Sequence, residues 1–255
     1  YIDSNDSIKI CVGNKRDLLD NTYTGFGVVK RLNFDSKSSR LVMFNLSNQS
    51  QLNEFNLYSG DHIFVFSKDD IKYSQSKEVY SYLNTAFESN DYSNQFMESK
   101  DTNYEVCLSS LDVLMTNPIS NFIKAKLALF PRQIALDCPE LLSSNPELLP
   151  VLIINSIPVV GNVRFPGLYP TTRDLNALEI FNLAGGVLVS KLNTIPSFDV
   201  GIRARGFGSY PYETLKDLTN ISMLNLQIDD ASIPSGFVTL KGEFANPGTY
   251  EISKG

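Results

Sequence analysis

The spacing of apolar residues changes twice along the chain. From residue 1 to 73 it is mostly strand-like. FGVVKRL (26–32) and RLVMFNL (40–46) bracket the polar stretch NFDSKSS, which has hairpin-loop chemistry. FNLYSGDHIFVFSKDD (55–70) reads as a strand, a Ser-Gly-Asp turn and the alternating strand HIFVF. His62 alternates there with Ile63 and Val65, which turns it toward solvent or an interface.

Between about 74 and 150 the spacing becomes helical. KEVYSYLNTAFES, CLSSLDVLMT (107–116) and FIKAKLALF (122–130) are predicted helices, and LDCPELLSSNPELLPVLI alternates Pro stops with Leu pairs, a pattern of short capped helices. From 151 to 235 strands return. DLNALEIFNLAGG (174–186) is predicted as one amphipathic helix, with Leu178, Phe181 and Leu183 inward and Gly185–Gly186 as its C-terminal stop. FDVGIRA (198–204) is a strand, and LNLQIDDASI (224–233) closes the region.

These regions repeat. GNVRFPGLY (161–169) returns as GEFANPGTY (242–250), so Gly161, Pro166, Gly167 and Tyr169 match Gly242, Pro247, Gly248 and Tyr250 at one offset of 81 residues. A β-branched run precedes each phrase, Pro-Gly makes a turn in which Gly tolerates positive φ, and Tyr restarts a strand. Phe26 and Arg31 of FGVVKR also mirror Phe198 and Arg203 of FDVGIR, and Asp61 mirrors Asp230. Region one therefore reads as the latter part of a unit, region three as a nearly complete unit, and 236 onward as a further opening. Asp230 precedes Pro247 by 17 residues but Asp61 precedes Pro166 by 105, so the helical stretch is an insertion between units. The chain is expected to be a piece of a longer protein, cut inside units at both ends.

Composition narrows the partners. The net charge of −6 argues against nucleic acid, whose phosphates need a Lys/Arg surface, and against a polybasic grip on lipid. No apolar run approaches the roughly 18–20 residues that span a bilayer, so no membrane contact is expected from this fragment. A single His makes His-based metal clusters and triads improbable.

The order β-run, G-x-V-x-x-PG-x-Y, amphipathic helix ending in AGG, Arg strand, then L-x-x-x-D-x-I resembles the soluble-ligand-binding β-grasp (SLBB) domain. Tandem copies occur in outer-membrane polysaccharide export proteins of Gram-negative bacteria (Wza type). The resemblance covers about 1–73 and 155–255. It departs from the family at the third region's Asp turn, which is Ile-Asp-Asp rather than Pro-Gly-Asp.

It implies an α+β fold: the latter part of a β-grasp unit at 1–73, a mainly helical insertion at 74–154, a β-grasp unit at 155–235 and the truncated start of another at 236–255. It also implies a non-enzymatic role in a translocon for capsule or exopolysaccharide, without cofactors, in the periplasm, with the parent held at the outer membrane. Polysaccharide, further copies of the chain in a ring and an inner-membrane polysaccharide co-polymerase are the implied partners. The alternative is a monomeric β-grasp module that binds a small ligand or oligosaccharide beside the PG turn.

Candidate chemistry follows from that frame. Arg164, Tyr169 and Tyr250 are the candidate ligand contacts, by stacking on or hydrogen-bonding to a sugar. Gly161, Pro166, Gly167, Gly242, Pro247 and Gly248 read as turn-makers, and Gly185 and Gly186 as a helix C-cap rather than a phosphate loop. Cys107 and Cys138 flank the inserted helices; a thiol nucleophile lacks a nearby base and a zinc site lacks ligands. In the oxidising periplasm that the resemblance implies, they read as a disulfide, with Cys11 left over. The pairs Asp69–Asp70 and Asp229–Asp230 read as turn and edge-strand charges, since adjacent strand carboxylates point to opposite faces. No catalytic or metal residue is assigned.

Overall fold

The chain is a mixed α+β protein in this computed structural model. The structure describes residues 8–9, 19–33, 38–48, 52, 55–88, 102–115, 120–130, 135–186, 197–227, 236–241 and 248–252. Two units divide it, Tyr1–Ser156 with Pro170–Thr172, and Ile157–Tyr169 with Arg173–Gly255.

In the first unit, β2 (Thr22–Asn33), β3 (Ser38–Phe44) and β5 (His62–Ser67) form an antiparallel sheet in the order β3-β2-β5, while β1 (Ile8–Lys9) pairs with β4 (Asn56–Leu57). Val29 and Phe44 share one sheet face, where Leu46, Leu52, Phe55 and Leu57 cover them. On the other face Phe26 stacks on Phe66. Phe64 and Phe66 therefore carry the inward pattern of β5, and His62, Ile63 and Val65 are all exposed. The alternation anticipated for Ile63 and Val65 is reversed, because each Phe covers more apolar area than Ile or Val.

Among the described residues seven helices follow in this unit: α1 (Lys68–Tyr73), α2 (Lys77–Glu88), α3 (Thr102–Ser109), α4 (Asp112–Met115), α5 (Ser120–Ala128), α6 (Glu140–Ser144) and α7 (Leu148–Asn155). Asp69 and Asp70 lie in the first turn of α1, not in a strand or its edge. Ser67 caps that helix, and the Asp70 carboxylate accepts from the Ser67 backbone N–H at 2.7 Å, a reciprocal box that starts a helix where β5 ends. Helix α7 is apolar all round and correspondingly buried. Its C-terminal carbonyls are met by the buried Lys126, whose Nζ donates to Ser156 O at 2.5 Å. Cys107 of α3 and Cys138, just before α6, are joined as a disulfide with their Cα atoms 6.5 Å apart.

One ion pair of the first unit is set below the surface. Arg31 forks onto Asp61, with Nε at 2.9 Å from Oδ1 and Nη2 at 2.7 Å from Oδ2. The Asp61 side chain is 3% exposed and also accepts from the Tyr58 N–H, and the guanidinium lies over the Tyr58 ring. Burial pushes the Asp61 carboxyl up, but the Arg31 and Tyr58 hydrogen bonds and the Arg31 and Arg40 charges outweigh it and hold it below its ordinary value. A depressed folded value means stability present above the unfolded pKa and lost as pH falls through the folded one. Asp61→Asn is expected to cost roughly 2–3 kcal/mol at neutral pH by leaving the guanidinium poorly paired. That difference shrinks below about pH 4. Urea unfolding of both proteins across acid pH checks this; a pH-independent difference would refute it.

In the second unit, β6 (Ser156–Gly161), β7 (Gly167–Pro170), α8 (Ala177–Leu183), β8 (Ser197–Ile202), β9 (Gly206–Pro211), a 3-10 helix (Tyr212–Asp217) and β10 (Ile221–Gln227) run in that order. The sheet order is β7-β6-β10-β8-β9, with β10 parallel to β6 and antiparallel to β8. Helix α8 begins at Ala177, not 174, because Asn176 and Glu179 form a capping box. From that start the buried positions are Ala177, Ile180, Phe181 and Ala184, and the predicted inward residues Leu178 and Leu183 are only half-buried. Phe181 meets Phe198 edge to face at 5.1 Å, and Val159, Val200, Leu224 and Leu226 complete this core. β11 (Gly236–Leu240) and β12 (Gly248–Ile252) form an antiparallel pair.

Candidate functional site

The repeated phrase builds a tip on the second unit. β6 ends at Gly161 in a left-handed conformation, φ +84°, where a Cβ would overlap the Leu226 carbonyl oxygen. The chain then crosses to the end of α8. Arg164 N–H donates to Gly186 O at 2.9 Å and Phe165 N–H to Ala184 O at 3.0 Å. Gly185 and Gly186 both have positive φ at the end of α8, where their N–H groups donate to Asn182 O and Phe181 O. A side chain at Gly185 would strike the Phe165 ring, so the AGG stop also makes room for the tip.

Tyr169 requires a correction. The residue is 9% exposed and its hydroxyl donates to Phe165 O at 2.5 Å, with burial holding the phenol above its ordinary pKa. The ring is committed to the inside of the turn, so it staples the phrase and offers no stacking face. Pro166 is exposed at the tip and Gly167 opens β7 without the positive φ expected of it; the left-handed residue of the phrase is Gly161. Arg164 is half-buried, its guanidinium 5.5 Å from the Phe165 ring centroid. Phe165 is 56% exposed. The exposed aromatic of this tip is therefore Phe165. The repeat does not mark it, because Asn246 stands at the matching position.

The second phrase is described in part. Gly248 opens β12 as Gly167 opens β7, and Tyr250 stands opposite Val238 in the ladder. Gly242, Pro247, Cys11, Asp229, Asp230 and the side chain of Tyr250 lie outside the described residues. Arg203 follows β8 in an exposed turn.

The tip supplies one aromatic ring and a guanidinium, which suit stacking and hydrogen bonding, and carries no carboxylate, thiol or imidazole. Among the described residues no group of three or more His, Cys, Asp and Glu could hold a metal ion. Comparison with family models, curated proteins and solved structures finds no match to this chain.

Proposed function

We propose that the chain is a non-enzymatic part of a polysaccharide export protein of a Gram-negative bacterium, built from tandem β-grasp units. The observation that carries this reading is the repetition of one arrangement in three places. In the second unit a five-stranded mixed sheet packs on one helix, with its first and last strands parallel at the centre. The first unit repeats its latter part: β3-β2-β5 matches β9-β8-β10 in order and direction. Phe26 and Val28 are fully buried, as are Phe198 and Val200 at the matching positions. The β11–β12 pair repeats β6–β7, with Gly248 in the place of Gly167.

In this reading the units stack along the chain, and copies assemble into a ring around a passage for capsule or exopolysaccharide, handed on by an inner-membrane co-polymerase. The Cys107–Cys138 disulfide fits an oxidising periplasm. The net charge of −6 fits a neutral polymer better than an anionic one. The test is deletion of residues 157–227 from the full-length protein in the producing cell. Polymer should still be made and should fail to reach the surface. Normal surface polymer would sink the proposal, and export-independent, saturable sugar binding by a monomer would favour a binding module instead.

A further inference from the structure

The sheet of the second unit has a second face, opposite the one that packs on α8. Strand residues alternate between faces, and directly paired residues share one. Because Phe198, Val200, Leu224 and Leu226 are buried on the α8 side, Asp199, Gly201, Met223 and Asn225 face the other way. Cross-strand pairing then sets two rows. Asn225, Asp199 and Ser209 form one row across β10, β8 and β9. Met223, Gly201 and Phe207 form the next.

The two rows differ in chemistry. The first holds an amide, a carboxylate and a hydroxyl, and none of these three side chains has a hydrogen-bond partner among the described residues. Asp199 and Asn225 are half-buried, and neither is among the residues with an unpaired polar atom cut off from solvent, so a ligand can replace the water that meets them. The second row is apolar. Phe207 is 72% exposed, and its ring edge lies 2.9 Å from where a Cβ of Gly201 would stand, so the glycine lets the ring lie down on the sheet. Rows about 6.8 Å apart on strands about 4.8 Å apart make a patch near the size of one pyranose ring.

We propose that this face is a binding platform for a neutral glycan. One sugar stacks its C–H face on Phe207 beside Met223, and the Asp199, Asn225 and Ser209 side chains bond hydroxyls of that sugar or its neighbour. Donors and acceptors side by side, next to a flat ring, match a polyhydroxylated ring. The Asp199 carboxylate and the overall charge of −6 repel an anionic one. The proposal deepens the export reading and rests on it only for the polymer that the face would meet. Contact is shallow, so binding is weak, as suits a chain that must keep moving.

The experiment is an NMR titration of the whole chain with cellohexaose, laminarihexaose and maltohexaose at up to roughly 10 mM, a range that detects millimolar binding. At least one is expected to shift the amides of Gly201, Phe207 and Asn225. Phe207→Ala should weaken that binding about tenfold, the loss of one good stacking contact. Phe207→Tyr should retain it, and Asp199→Asn should weaken it several-fold. Thermal melts of each variant separate lost binding from lost fold. If none of the three sugars shifts these amides, or if Phe207→Ala binds as tightly as the native chain while folded, the platform is refuted. Export lost on deletion of 157–227 with no binding here would overturn the platform alone; binding here with normal export would overturn the export reading alone.

Discussion

Replacing Gly161 by alanine is expected to cost roughly 3 kcal/mol or more, while the same change at Gly186 costs only about 1 kcal/mol. Both residues have positive φ, +84° and +75°, so both alanines carry the left-handed penalty. Their surroundings differ. A Cβ at Gly186 meets nothing within 4 Å. A Cβ at Gly161 overlaps the Leu226 carbonyl oxygen and comes within 2.6 Å of Asn225 Oδ1. Gly161 is paired with Leu226 in the parallel ladder, and the next residue donates to that carbonyl at 3.0 Å. The overlap cannot be relieved by turning a side chain, because backbone is what it meets. β6 must withdraw from β10 and break the ladder at the centre of its sheet. Urea unfolding with amide exchange read on β10 measures both variants. Equal costs would show that conformation alone, not the close approach, makes the glycine necessary.

The same contrast explains what could be read from the sequence. Gly161 is legible because it recurs as Gly242 in the repeated phrase, and Gly185 and Gly186 because they end an amphipathic helical pattern. That logic favours structural residues. It ranked Tyr169, a shared residue that proves to be a buried staple, above Phe165, an unshared one that is exposed. The face of α8 was misjudged because Leu residues outweighed Ala177 and Ala184 in the periodic pattern, whereas the Asn176–Glu179 box sets the phase. Asp69 and Asp70 read as turn and edge-strand charges when taken as a pair, whereas Ser67, three residues before Asp70, carries the spacing of a cap. Phe207 carries no such signal. Its environment depends on a glycine six residues earlier, brought beneath it by the β8–β9 pairing, and no local pattern in the sequence reports that.

Reduction of the Cys107–Cys138 bond is expected to destabilise the first unit by roughly 3–4 kcal/mol, the entropy returned to the unfolded chain when a loop of this length is opened. The two cysteines are 31 residues apart, and the loop between them contains α4 and α5. Helix α4 has four residues and α5 nine, both too short to persist alone, so they rely on packing around Leu111, Leu114, Ile123 and Leu127. Opening the loop leaves that packing in place but enlarges the alternatives it must beat. For a unit of this size the shift corresponds to a fall of about 10 °C in melting temperature. The effect should be local. Amide exchange in α3–α6 should accelerate on adding reductant, whereas β8 and β10 keep their protection. The paired substitution Cys107→Ala with Cys138→Ala should melt like the reduced native chain and stop responding to reductant. A native chain whose α3–α6 exchange is indifferent to reductant would show that side-chain packing alone holds these helices.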